Sequence, residues 1–339
     1  MGANSLPGRS FGRARLVPLV MITLAISIVF CGLYLLLARR LQILDQPNER
    51  SSHTLPTPHG GGVAMLTAFA AGLAIGHVMG VAWEGPYLIL AGGALLLMLV
   101  GVVDDLLSLS ARLRFALYSG VALMAANALL APAGGHWLVQ LVAAFALLWM
   151  LNLYNFMDGI DGIAALQAVS VCVAAALLSW FYAGDLQFLS FCLVLAAAQV
   201  GFLCWNWPPA RLFMGDAGSV PTGFLLGGLA LLGAVEGALP LACWAILLAL
   251  FVTDASYTLL ARMLAGERFT EPHRQHAYQR LSRHWGSHLP VDILLLAING
   301  LWLFPLALTT TLWPKFSFLL VILAYIPLLY GMAKARKLG

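Results

Sequence analysis

The chain has 339 residues, of which 61% are hydrophobic and 9% charged, with a mean hydropathy of +0.90. A water-soluble domain of this length needs far less apolar surface, so the composition excludes a soluble globule and leaves one polytopic membrane domain spanning residues 1–339. The formal net charge of +4 is modest, and no nucleic-acid partner is expected.

Residues 1–16 carry Arg9, Arg13 and Arg15 ahead of the first apolar run. No small-residue cleavage site follows, so this segment reads as a tail leading into a retained helix. Apolar runs then fall at about 17–37, 62–82, 87–103, 115–132, 137–154, 163–182, 187–205, 218–235, 239–260, 289–309 and 316–333. The expected architecture is an all-α integral membrane bundle of about 10–11 transmembrane helices. The five cysteines are scattered through the apolar runs with no CxxC spacing and read as small core residues.

The loops at 38–61, 104–114, 206–217 and 261–288 hold Arg39, Arg40, Arg50, Arg112, Arg114, Arg211, Arg262, Arg268, Arg274, Arg280 and Arg283. The alternate loops, near Glu84, His136, Asp185 and Glu236, carry no Lys or Arg. The positive-inside rule makes the Arg-bearing loops cytoplasmic. An odd helix count then puts the N-terminus outside, against its own three arginines. Asp104, Asp105, Asp158, Asp161 and Asp216 all fall on the Arg-bearing side, with His53, His59, His273 and His276. A transporter places its ionisable residues at mid-membrane instead. The asymmetry points to an enzyme working at the cytoplasmic interface of a membrane.

Four polar stretches carry the chemistry. Asn152 to Gly162, NLYNFMDGIDG, sets Asp158 and Asp161 three apart, on one face if a helix begins or ends there. Leu99 to Leu106, LVGVVDDL, ends an apolar helix with adjacent carboxylates, which suit a cation, a proton transfer, or simple pairing with Arg112 or Arg114. Asn206 to Ser219, NWPPARLFMGDAGS, breaks a helix at Pro208 and Pro209 and sets Asp216 in a Gly-lined turn that suits Mg²⁺ and an anionic ligand. Glu271 to Arg280, EPHRQHAYQR, crowds His273, Arg274 and His276 into one polar loop that can neutralise a diphosphate or touch anionic lipid heads. A fifth stretch, DQPNERSSHTLPTPHGGG at Asp45 to Gly62, with Arg50, His53 and His59, reads as a lid over a ligand. Asp254, at the end of the ninth run, could face the same site, whereas His288 and Asp292 read as structural or interfacial.

Taken in order, PNERSSHTLPTPHGGG, GVVDDLL, NLYNFMDGIDGIAAL with FMGDAGS, and PHRQHAYQR resemble the polyprenyl-phosphate N-acetylhexosamine-1-phosphate transferase family over residues 40–285. That resemblance implies a lipid phosphate attacking the β-phosphorus of a UDP-N-acetylhexosamine, with UMP released and undecaprenyl phosphate as acceptor. It implies Mg²⁺, with Mn²⁺ as an alternative, on Asp216 and Asp161. Asp104 then matches the base toward the lipid phosphate, with Asp105 beside it. Asn152, Asn155, Asp158 and Asp161 match residues near uridine and metal. Asn206 and Phe213 match positions that hold and stack on uracil, and His59 joins the nucleotide loops. His273, Arg274 and His276 match the loop that meets the diphosphate. Ser51 and Ser52 follow Arg50 where the family often has an Arg-Lys pair. The last loop lacks a His triplet and is similar to the O-antigen-initiating branch, whose sugars include GlcNAc, QuiNAc and FucNAc. The implied setting is the bacterial inner membrane, with membrane lipids as neighbours and a homodimer permitted. Two readings compete. One is a multi-pass transporter of lipid-linked sugars. The other is a CDP-alcohol phosphatidyltransferase, which fails because Leu166 stands where that motif needs Arg.

Overall fold

The protein is described by a computed structural model, which covers residues 7–46, 55–267 and 273–338. Arg50, His53 and Arg268 lie outside the described residues. The helices in chain order are α1 (Pro7–Arg40), α2 (Gly61–Val78), α3 (Gly85–Leu107), α4 (Ala111–Leu130), α5 (Trp137–Met157), α6 (Ile163–Tyr182) and α7 (Leu186–Asn206). They continue with α8 (Asp216–Glu236), α9 (Leu241–Leu247), α10 (Ala249–Leu264), α11 (Ala277–Trp285), α12 (Leu289–Ala297), α13 (Phe304–Leu312) and α14 (Ser317–Ala335). The only strands among the described residues are β1 (Leu44–Asp45) and β2 (Thr57–Pro58), paired antiparallel.

Among the described residues, ten helical segments are long and apolar enough to cross a membrane, or eleven if the bent pair α9–α10 counts as one span. This is the number read from hydropathy. The ninth apolar run is not straight, however: it breaks at Leu248 with a 67° bend. No proline or glycine marks the break in sequence. A buried polar relay supports it instead, with Gln167 donating to the Leu247 carbonyl at 3.3 Å and Asn299 donating to Gln167 at 2.7 Å. Asn299 itself lies in a π-helical stretch, Ile298–Leu303, joining α12 to α13.

The 104–114 loop is shorter than expected. α3 runs on to Leu107 and α4 starts at Ala111, so only three residues connect them. The Asp104 carboxylate accepts Leu109 N–H at 2.9 Å, and Ser110 caps α4 by accepting Leu113 N–H. The two aspartates therefore sit on the last helical turn of α3 rather than in a loop.

Small residues let the central helices touch. A Cβ on Gly62 would lie 2.2 Å from the Gly218 Cα, and one on Gly101 would lie 2.6 Å from the Ala217 Cα. The start of α8 is thus clamped between α2 and α3, the close packing that dispersion requires where the hydrophobic effect does not operate between helices. Backbone pairing ties the first and third polar loops together, through Phe213 N–H to Pro58 O, Gly61 N–H to Phe213 O and Gly62 N–H to Met214 O, all at 2.8–2.9 Å.

The alternation of spans puts residues 41–46, 55–60, 108–110, 158–162, 207–215, 265–267 and 273–288 at one face. The C-terminal segment shares that face, because Arg280 donates to the Arg336 carbonyl. Arg15 instead donates to the Met79 carbonyl in a connection at the opposite face, so α1 begins on the side away from the polar loops. The tension between tail charge and helix count resolves in favour of helix count.

Candidate active site

Asp216 opens α8, and its carboxylate is held from two sides. Asn155, on the last turn of α5, donates its amide to Asp216 Oδ1 at 2.8 Å and shares the same nitrogen with Ser219 Oγ at 2.9 Å. Arg114 Nη1 stands 3.7 Å from Asp216 Oδ2 and 2.6 Å from Asp104 Oδ2. One guanidinium thus links carboxylates from α3 and α8, a charge-assisted geometry stronger than a neutral hydrogen bond. Asp105 Oδ2 lies 4.0 Å from His59 Nδ1, which brings the first loop to the same edge.

Asp158 caps the C-terminus of α5 and Asp161 follows in the turn, so the two do not share a helix face. The Asp158 carboxyl is pushed up to about 7, first by burial and then by the nearby Asp216 and Asp161 carboxylates. Asp161 Oδ2 accepts Ala210 N–H at 3.0 Å and lies 3.1 Å from His288 Nδ1. The Asp161 N–H also points at that ring nitrogen at 3.3 Å, but one nitrogen cannot be donor and acceptor at once. The shorter, charge-assisted contact decides: Nδ1 donates to the carboxylate.

The remaining expected residues divide. Asn206 is 4% exposed and spends both ends of its amide inside the chain, accepting Gly162 N–H and donating to Leu212 O, each at 2.9 Å. It splices the 158–162 turn to the 207–215 loop. Phe213, half-buried, joins that loop to the first through its backbone. Asn152 donates to Leu148 O within α5. His273 and His276 group with each other, ring centroids 4.9 Å apart, and with Asp254 and Arg262 rather than with the aspartates of α3 and α8. His276 is 3% exposed and pairs with Asp254 at 3.3 Å. The His273 imidazole is pushed down to about 4, first by burial and then by His276 and Arg262. Arg274 lines a polar cavity of about 480 Å³ with Asp161, Pro208, Pro209, Arg283 and His288.

Sequence reasoning missed three contributors. Arg114 was weighed only as a neutralising neighbour, yet it joins two of the acids. Ser219 is the second acceptor of Asn155. His288, read as structural or interfacial, holds Asp161 from the N-cap of α12, 127 residues away, and no local pattern signals that contact. Close by on α12, Asp292 is fully buried, and neither of its oxygens has a hydrogen-bond partner.

Among the described residues, no three carboxylate, imidazole or thiolate groups already converge as a complete ion cage. The donor set is instead the kind that suits Mg²⁺, one or two carboxylates with the remaining positions left to ligand oxygens. Burial raises Asp158 first, and the neighbouring Asp216 and Asp161 carboxylates add to it; that added repulsion is what a divalent cation would offset.

The fold and this face define a polytopic helical membrane protein with an acid-rich site built from widely separated loops. Residues 87–234 match the family described as glycosyl transferase family 4. The chain is 31% identical to the decaprenyl-phosphate N-acetylglucosaminephosphotransferase of Mycolicibacterium smegmatis, over 87% of this chain and 82% of that one. It is 26% identical to the probable undecaprenyl-phosphate N-acetylglucosaminyl 1-phosphate transferase of Bacillus subtilis, over 84% and 82% of the two chains. A shorter match, 38% over 104 residues, joins it to the phospho-N-acetylmuramoyl-pentapeptide-transferase of Moorella thermoacetica, covering 31% of this chain and 32% of that one. The chain belongs to glycosyl transferase family 4, among the polyprenyl-phosphate N-acetylhexosamine-1-phosphate transferases.

Proposed function

We propose that the protein transfers N-acetylhexosamine 1-phosphate from a UDP-sugar to polyprenyl phosphate, at the cytoplasmic face of the bacterial inner membrane, as the first step of O-antigen or a similar envelope polysaccharide. The observation that carries this reading is the chain of contacts Asn155–Asp216–Arg114–Asp104, which joins α3, α4, α5 and α8 at one edge and supports a phosphate-handling role there. The relatives named for decaprenyl and undecaprenyl acceptors support the lipid phosphate, and the excess of arginine at this face supports the cytoplasmic side.

An oxygen of the lipid phosphate bonds to the β-phosphorus of the donor. The bond from that phosphorus to the bridging oxygen breaks, and the bridging oxygen leaves with the electron pair on UMP. Such transfers are mostly positioning and charge neutralisation. A phosphate monoester with its second pKa near ~6 is already largely a dianion at neutral pH. A base is needed only for the singly protonated fraction. Asp104 is a poor candidate for that proton, because Arg114 at 2.6 Å and Leu109 N–H at 2.9 Å already occupy its oxygens and its side chain is 10% exposed. Asp105, 32% exposed and facing His59, takes the proton instead.

Asp216, with Asp158 or the outer oxygen of Asp161, would hold Mg²⁺, and Mn²⁺ would use the same oxygens. When bound, the ion supplies positive charge against the donor diphosphate. Arg114 can exchange a carboxylate for a phosphate oxygen as the acceptor arrives. The polar cavity beside Asp161, with Arg274, Arg283 and His288, suits the anionic donor. An apolar cavity of about 480 Å³ between α10, α12 and α14 reaches Met157 and Tyr278 next to the 158–162 turn, and suits the first isoprene units of the acceptor.

Detergent-purified protein, Mg²⁺, undecaprenyl phosphate and a panel of UDP-N-acetylhexosamines test the reading, with UMP as the readout. Release with at least one donor, abolished by Asp216→Asn, is expected. Movement of lipid-linked sugar without any UMP would favour the transporter instead.

A further inference from the structure

Asp254 lies on α10, is 1% exposed and coordinates four donors. Its Oδ1 accepts Ala277 N–H at 2.9 Å and Thr258 Oγ1 at 3.1 Å, and pairs with His276 Nδ1 at 3.3 Å. Its Oδ2 accepts Tyr278 N–H at 3.1 Å. Two of these donors are first-turn amides of α11, which have no partner within their own helix, and a carboxylate there also meets the positive end of the helix dipole. A buried carboxylate is tolerated only when its oxygens are satisfied, and these four contacts satisfy it.

The helix end fixed in this way touches the acid-bearing turn directly. Tyr278 donates its hydroxyl to the Phe156 carbonyl at 2.9 Å. A Cβ on Gly159 would lie 2.2 Å from that hydroxyl oxygen and 3.1 Å from Gln279 Nε2, so only glycine lets the turn seat against α11. Phe156 and Gly159 flank Asp158, and Asp161 follows two residues later. The path from Asp254 to the acids is therefore two steps long: carboxylate to helix N-terminus, then Tyr278 and Gln279 to the turn.

We infer that Asp254 is a positioning residue which, through the N-terminus of α11 and the Tyr278 hydroxyl, holds the 156–161 turn in the conformation that presents Asp158 and Asp161. Asp254 borders the apolar cavity proposed for the isoprene units, but both its carboxylate oxygens are turned to Thr258, His276, Ala277 and Tyr278, and His276 belongs to its anchor. This role rests on the proposed transferase reading for its catalytic consequence, but not for its structural one.

Two readouts on Tyr278→Phe, Asp254→Asn and Asp254→Ala test it. The first is amide hydrogen exchange in detergent of peptides covering residues 155–162, with α7 peptides as an internal standard. The second is UMP release as a function of Mg²⁺ and UDP-sugar. Tyr278→Phe loses one hydroxyl and keeps the ring, so it folds even where Asp254→Ala does not. Expected in Tyr278→Phe are faster exchange at 155–162 by about tenfold, unchanged exchange in α7, and a lower kcat with a higher half-saturating Mg²⁺. Asp254→Asn keeps one acceptor oxygen and falls between wild type and Asp254→Ala. Wild-type exchange at 155–162 in both Tyr278→Phe and a folded Asp254→Ala would overturn the inference. So would an Asp254→Asn as inactive as Asp216→Asn with exchange undisturbed, because Asp254 would then act on substrate. If wild type releases no UMP with any donor, the transferase reading fails, and the exchange readout still decides the positioning role.

Discussion

The Asn155 amide donates to the Asp216 carboxylate at 2.8 Å across 61 residues of sequence, joining the end of α5 to the start of α8. Because the same nitrogen also reaches Ser219, the carboxylate is fixed in rotation as well as in place. Groups that orient a ligand carboxylate typically carry about 10–100-fold of activity or metal affinity. Asn155→Ala should lower kcat/KM by about that factor and raise the half-saturating Mg²⁺, measured by UMP release over a Mg²⁺ titration. Ser219→Ala, which leaves the Asp216 contact intact, should cost less.

Arg114 predicts effects of opposite sign on turnover and metal. Its charge offsets Asp104 and Asp216, so it would compete with the proposed Mg²⁺ for the same carboxylates. Arg114→Ala should tighten Mg²⁺ binding severalfold while lowering kcat by about 100-fold, since a phosphate partner is lost. Arg114→Lys should recover little, because an ammonium cannot reproduce the planar guanidinium between the two acids. Looser Mg²⁺ binding in Arg114→Ala would contradict the arrangement.

The two neighbouring aspartates should separate. Asp105→Asn should remove the acid limb of the pH–rate profile and reduce kcat, with UDP-sugar KM near wild type. Asp104→Asn should act through Arg114 and the α3 terminus, raising KM for the lipid phosphate. The reverse pattern would return the proton-accepting role to Asp104.

Asp158 and His273 give stability terms of opposite slope. With its folded pKa raised from 3.8 to about 7, Asp158 holds a proton that the unfolded chain has lost. Its contribution is complete below 3.8 and is lost as pH rises through about 7. His273 runs the other way: lowered from 6.5 to about 4, it contributes fully above 6.5 and loses that contribution as pH falls toward 4. Thermal melts of Asp158→Asn in EDTA should therefore lose a component that falls between pH 4 and 7. If Mg²⁺ is held at Asp158 as proposed, it displaces that proton, and the apparent Mg²⁺ affinity of wild type should weaken below about pH 7.

Asp292 is a stability liability that can be measured. A buried polar group without a partner costs about 1–3 kcal/mol. Asp292→Leu keeps a similar volume and removes both unpartnered oxygens, so its melting temperature should exceed that of wild type. A lower melting temperature would mean that the carboxyl has a partner in the working enzyme.

The number of spans and the gathering of the polar loops, with their acids, at one face were legible in the sequence. Each is recorded locally: a membrane helix needs a long apolar run, and Asp104, Asp158 and Asp216 interrupt or end such runs. The matching count of spans shows how direct that record is. The bend at Leu248 was not legible, because a relay from Gln167 and Asn299 supports it, and nothing at the break itself announces it.

Composition and order alone fixed a many-helix membrane protein with its acids at one edge, because hydropathy and helix-ending residues act over a few neighbours. Which side chains meet was decided only in three dimensions. Arg114 between two carboxylates, His288 on Asp161, Asn206 as a splice and Asp254 as an anchor are pairings over long sequence separations, set by close helix packing at residues such as Gly62 and Gly218. The sequence lists the charged groups, but the distances that turn them into a site depend on how the helices pack.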